Sequence, residues 1–174
     1  MIRSSLFESN ISFSLAVRED LPKIVNTYNL TIPGRKVTAD LNPVSVESKI
    51  SWFDSHQIDN RPLLVIYYEK KYCGWMSFSS FYGRPAYDVT AELSIYLDPE
   101  YQGKGIGNFC MIKAEEIALN CGVKNLLGFI FGHNEASLNL FYRHGYEKWG
   151  HLPGVALMDR HHRDLLILGK KLHD

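Results

Sequence analysis

The segment Gln102-Gly103-Lys104-Gly105-Ile106-Gly107 constrains this chain more than any other. It follows a strand-like run, residues 89–97, and opens a stretch of helical character, residues 105–121, with Ile112, Glu116 and Leu119 along it and Gly122 to close it. A glycine run between a strand and a helix N-terminus gathers free backbone N–H groups in one concave place. The helix dipole adds partial positive charge there, so a phosphate or pyrophosphate is the natural guest.

The position of the run separates three nucleotide readings. A dinucleotide fingerprint belongs near the first strand with an acid about 20 residues on, whereas Gly103, Gly105 and Gly107 follow at least four strands. A P-loop requires Gly-Lys-Ser/Thr, and Lys104 is followed by Gly105. The pyrophosphate of coenzyme A is the third.

The rest of the chain reads as a single domain over residues 1–174. Residues 11–17 alternate as a half-buried strand. Asp20 and Pro22 open a helix to about Tyr28, with Leu21, Ile24, Val25 and Tyr28 on one face. Residues 31–43 have no period, and Val46, Ile50 and Phe53 suggest a helix over 45–56. Strands are expected at 63–69, 72–80, 89–97, 123–131, 146–149 and 164–171, with a short helix at 134–144. The expected fold is α+β, a mixed and mostly antiparallel sheet packed by about four helices.

Lys+Arg and Asp+Glu both number 19, and this zero net charge argues against partners bound through bulk positive charge, nucleic acid or an anionic membrane surface. No apolar run of about 18 residues exists to span a bilayer. Residues 1–10 lack a secretory pattern, and Cys73, Cys110 and Cys121 are odd in number and scattered, which points to reduced thiols in the cytoplasm. The seven histidines have no metal-ligand spacing, so no metal is expected.

The motif Gln102-Gly103-Lys104-Gly105-Ile106-Gly107 resembles the [RQ]-x-x-G-x-[GA] signature of the GNAT acetyltransferases, flanked by Leu93-Ser94-Ile95-Tyr96-Leu97-Asp98-Pro99 and by Asn134-Glu135-Ala136-Ser137 with Gly145-Tyr146. Arg84-Pro85-Ala86-Tyr87 and Thr90-Ala91-Glu92-Leu93-Ser94-Ile95-Tyr96 are similar to the phosphinothricin acetyltransferase branch, which includes amino-acid N-acyltransferases. The resemblance implies acetyl-CoA as cosubstrate. Ile95, Tyr96 and Leu97 would face its acetyl-pantetheine arm, Gly103, Lys104, Gly105, Ile106, Gly107 and Asn108 with Gln102 its pyrophosphate, and Asn134 its pantetheine portion. It further implies Glu92 as general base, an acceptor site lined by Arg84, Pro85, Ala86, Glu92, Leu93 and Ser94, and a homodimer.

The chemistry agrees with this assignment. An amino-acid amine is protonated at neutral pH, and a carboxylate can accept its proton. A guanidinium such as Arg84 suits a substrate carboxylate. The resemblance implies as substrate a small amino acid or analogue, phosphinothricin- or methionine sulfoximine-like. Another small amine, such as an antibiotic or polyamine, and a non-catalytic acetyl-CoA-binding module remain open. One departure stands out. Where the branch tends to have His, to protonate the leaving thiolate, this chain has Phe141, and Tyr142 is a 100° turn away on a helix.

Overall fold

The computed structural model describes residues 10–56 and 59–173, so the reading of residues 1–10 as lacking a secretory signal lies, but for Asn10, outside the described residues. Seven strands form one sheet: β1 (Ile11–Leu15), β2 (Leu63–Tyr68), β3 (Lys71–Ser80), β4 (Thr90–Leu97), β5 (Asn125–Phe131), β6 (Glu147–Met158) and β7 (His161–Lys171). Their order is β1-β2-β3-β4-β5-β7-β6, antiparallel throughout except for the parallel pair β4–β5. Four α-helices accompany them: α1 (Leu21–Thr31), α2 (Ile50–Asp54), α3 (Ile106–Asn120) and α4 (Glu135–Arg143). The expected mixed, mostly antiparallel sheet with four helices is the fold observed. No described helix is long and apolar enough to cross a membrane.

Strand alternation divides the interior into two cores. Along β4, Ala91 and Leu93 are buried on the face that packs against α3, whose Ile106, Cys110, Met111, Ala114 and Ala118 recur at helical spacing. Glu92, Ser94 and Tyr96 point to the opposite face. There a smaller core of Ile24, Leu63, Val65 and Trp75 gathers Tyr28, Trp52, Phe53 and Tyr96 around it.

α1 forms where expected, with Pro22 in its first turn, and continues to Thr31. Asp20 does not cap it forward. Its carboxylate accepts the N–H of Val17 at 2.8 Å and pairs with Lys23 at 2.7 Å, fastening the turn before the helix.

Two expectations need correction. Residues 45–56 give a 3₁₀ turn, Glu47–Lys49, and only five α-helical residues, and Ile50, placed on the apolar face by its spacing, is 38% exposed. The strands expected at 146–149 and 164–171 are one long hairpin, β6–β7, turning at Asp159 and Arg160, both at positive φ. Gly150, Pro153 and Gly154 interrupt the alternation, yet the ladder absorbs them as register shifts between Lys148 and Gly150 and between Leu152 and Ala156.

Candidate active site

The central feature of the site is an opening in the sheet. The parallel strands β4 and β5 pair only at Thr90–Asn125, Ala91–Leu126 and Glu92–Leu127. Beyond Glu92, β4 continues to Leu97 paired with β3 alone, while β5 continues to Phe131 paired with β7 alone. Half of the peptide groups of residues 93–97 therefore face a gap instead of a ladder partner. A cavity of about 520 Å³ fills that gap, lined by Leu93, Ser94, Ile95, Tyr96 and Leu97 on one side and by Gly128, Phe129 and Ile130 on the other.

The glycine run forms the far end of this cavity. Gly103 and Gly105 adopt φ of 73° and 81°, the left-handed region that side chains disfavour, and Gly105 is the N-cap residue of α3. The first turn of α3, in which the Asn108 N–H donates to the Gly105 carbonyl at 3.1 Å, thus opens where Gly103, Gly105, Gly107 and Asn108 line the wall. Gln102 lines it as well, its Nε2 donating to the Leu97 carbonyl at 3.3 Å. Two members of the motif do not line the cavity: Ile106, 1% exposed, belongs to the α3 core, and the Lys104 ammonium sits 4.9 Å above the Tyr101 ring. A long polyphosphate conjugate fits this shape, with strand peptide groups along one length and a helix N-terminus at the end.

Asn134 lines the same cavity and has two further duties. Its Oδ1 accepts the N–H of Ser137 at 3.2 Å, capping α4, and its Nδ2 donates to the carbonyl of Lys36 at 3.1 Å. His133 Nε2 contacts the carbonyl of Arg35 at 2.6 Å, and the Arg35 guanidinium pairs with Asp159 at 2.9 Å. These bonds hold the irregular segment after α1 against the cavity, where Lys36 and Val37 join its wall. Nothing in the local sequence marks Lys36 or Val37, because the loop that carries them has no period; the folded contacts alone reveal them.

A second cavity, about 260 Å³, lies on the other face of β4 and meets the first at Ser94 and Tyr96, which line both. Its floor is three cross-strand pairs of β3 and β4, Ser79–Glu92, Ser77–Ser94 and Trp75–Tyr96. Trp75 and Tyr96 stack at 4.4 Å between ring centroids. Ile24, Val25 and Tyr28 of α1, with Lys49 and Trp52, enclose it from above. Trp52 packs edge-on against Trp75 and also lines this cavity.

Glu92 is the only carboxylate in the second cavity's wall, and no cation pairs with it among the described residues. Burial raises its pKa above the usual carboxylate range, since the charged form loses hydration without a compensating partner. Tyr28 hydrogen-bonds Thr38 and Asp40, and burial followed by the Asp40 contact pushes its phenol up to about 12. The aromatic walls therefore stay neutral near pH 7.

Of the residues expected to hold an acceptor, Glu92 and Ser94 line the small cavity and Leu93 lines the large one. Arg84, Pro85 and Ala86 line neither; they stand in an exposed loop whose Phe81, Tyr82 and Tyr87 pack on each other. Phe141 is 6% exposed, packs edge-on to Tyr146 and lies so close over Gly128 that a Cβ there would sit 2.4 Å from its ring. Tyr142 is 44% exposed and lines neither cavity.

Comparison with known proteins agrees with this geometry. Residues 25–146 match the family described as "Acetyltransferase (GNAT) family". The chain is 47% identical over 163 residues to the "Putative phosphinothricin acetyltransferase YwnH" of Bacillus subtilis (strain 168), covering 93% of this chain and 99% of that protein. It is 25% identical over 164 residues to the "L-amino acid N-acyltransferase MnaT" of Escherichia coli (strain K12), covering 94% and 95%. Among solved structures, a phosphinothricin acetyltransferase from Sinorhizobium meliloti in complex with acetyl-CoA superposes with a TM-score of 0.87 at 25% identity, covering 94% of this chain and 89% of that one.

Proposed function

This chain belongs to the GNAT acetyltransferase family and is an acyltransferase, and from that premise we propose that its single domain transfers acetyl from acetyl-CoA to the α-amine of an amino acid or amino-acid analogue. The observation that carries the proposal is the meeting of the two cavities at Ser94 and Tyr96, with Glu92 in the wall of the smaller one. The names of the relatives, a phosphinothricin acetyltransferase and an L-amino acid N-acyltransferase, support this class of acceptor.

Acetyl-CoA supplies a thioester carbonyl as the electrophile. In our reading, the peptide groups of residues 95–97 and the loop of Gln102, Gly103, Gly105, Gly107 and Asn108 bind it, with Asn134 beside the pantetheine portion. The β4 N–H groups that face the gap donate to the thioester oxygen as it gains charge. Glu92 accepts the proton of the incoming ammonium, directly or through one water. Its raised pKa suits that task, because a base closer in strength to the amine gives up less driving force in the transfer. With phenylalanine at 141, the departing thiolate takes its proton from water or from another donor; a thiolate is stable enough to leave unassisted.

The apolar edge strand β6 exposes Trp149, Leu152, Val155 and Leu157, which supports self-association as a homodimer, and the three unpaired cysteines suit a reducing cytoplasm. The function is tested by following CoA thiol release with acetyl-CoA and a panel of L-amino acids and simple amines. Release accelerated by amino acids is the expected result. If simple diamines alone accelerate it, or if no amine of the panel does, the proposed acceptor class is wrong.

A further inference from the structure

The small cavity has one acidic and one basic residue in its wall, and the basic one is unclaimed. Lys49 ends the 3₁₀ turn before α2, and its ammonium lies 5.0 Å from the centroid of the Tyr28 ring. Three lysines of the described chain pair with carboxylates: Lys23 with Asp20, Lys113 with Glu116 and Lys170 with Glu115. Lys49 has none among the described residues, although Glu92 lines the same cavity. A second donor in that wall is also free. Trp75 is 3% exposed, and its indole N–H is buried without an acceptor. A buried donor left unpaired is costly, and an oxygen of a bound molecule is the simplest group to satisfy it.

These observations point to a bound group that is cationic at one end and anionic at the other. We propose that Lys49 is the carboxylate receptor of the acceptor pocket, its ammonium pairing with the α-carboxylate of an amino acid whose amine faces Glu92. The inference rests on the reading of this site as an amino-acid acetyltransferase and moves the anion-binding role from Arg84, which lines neither cavity, to a residue of the pocket itself. Tyr28 lies under the ammonium and Trp52 shares the cavity wall, and an ion pair beside such apolar surface is stronger than one on open surface. An acceptor without a carboxylate leaves the ammonium over the Tyr28 ring with no anion to meet.

The test compares an L-amino acid that the wild type acetylates with its α-carboxamide, using wild type, Lys49→Met and Lys49→Arg. Wild type should favour the acid. Lys49→Met should lower kcat/KM for the acid by about 10- to 100-fold, mostly through KM, and leave the amide nearly unchanged. Lys49→Arg should recover most of the preference, and the Kd for acetyl-CoA should be the same in all three proteins, which reports an intact fold. The proposal is overturned if Lys49→Met weakens acid and amide equally, as loss of packing on Tyr28 would, or if wild type does not distinguish them. Failure of wild type to acetylate any amino acid would instead overturn the functional reading on which the proposal stands.

Discussion

The two cavities that meet at Ser94 and Tyr96 are built by different means. The larger is made mostly of backbone, from two strands that stop pairing after Glu92 and Leu127 and from a glycine loop at a helix N-terminus. The smaller is made of side chains brought together by α1, β3, β4, α2 and the turn before α2. Backbone recognition depends little on side-chain identity, provided φ and bulk are right. Side-chain recognition can change with a single substitution. On the proposed reading, acetyl-CoA is handled in the first region and the acceptor is chosen in the second.

The largest effect that would sharpen this division is on turnover. Glu92→Gln should lower kcat by about 100-fold or more, the usual range for loss of a general base, as measured by steady-state thiol release. Turnover unchanged in Glu92→Gln would remove the glutamate from the chemistry. A smaller effect should follow on the backbone side. Gly105 has a φ of 81° with open space where a Cβ would stand, so Gly105→Val meets no clash and suffers the conformation alone. Relief of that strain, with the loop leaving its left-handed conformation, should raise the Kd for acetyl-CoA by about 10- to 100-fold, as read by calorimetric titration.

How much of each region could be read from sequence follows from the same contrast. The glycine loop is local, six consecutive residues, and its glycines stand at the wall as expected. Glu92 was legible too, since it shares a short strand with residues that enter the loop. Tyr28, Lys49, Trp52 and Trp75 were not, because they come from three separate stretches and each alone looks like packing or solvated surface. Arg84 illustrates the converse. Its chemistry suits a carboxylate, but the loop that carries it places it outside both cavities. The β6–β7 hairpin escaped for a local reason: Gly150, Pro153 and Gly154 imitate a break that the sheet accommodates as irregular register.

Asn134→Ala probes the strap between the regions at an intermediate scale. It removes the cap of α4 and the bond to the Lys36 carbonyl. A loss of about 1 kcal/mol is expected, lowering Tm by about 2–4 °C, with acetyl-CoA bound roughly 2- to 10-fold more weakly. An unchanged affinity would separate this strap from the cavity it touches.

The smallest effect concerns pH. The folded pKa of Glu92 is raised, so the native protein holds that proton more tightly than the unfolded chain does. Stability therefore falls as pH rises from the ordinary value near 4.5 through the folded pKa, and the penalty persists at neutral pH. Glu92→Gln removes it. The variant should melt above wild type at pH 7, and the gain should vanish below the ordinary carboxylate range. A variant less stable at neutral pH would reveal a partner that holds the charged form.

Independence of the two regions is tested most directly by titrating acetyl-CoA into Glu92→Gln by calorimetry. The account predicts a Kd equal to that of wild type although turnover has collapsed, because the larger cavity owes its affinity to backbone that the substitution does not touch. A Kd that rises in step with the loss of kcat would contradict it, and would make Glu92 part of the cosubstrate site.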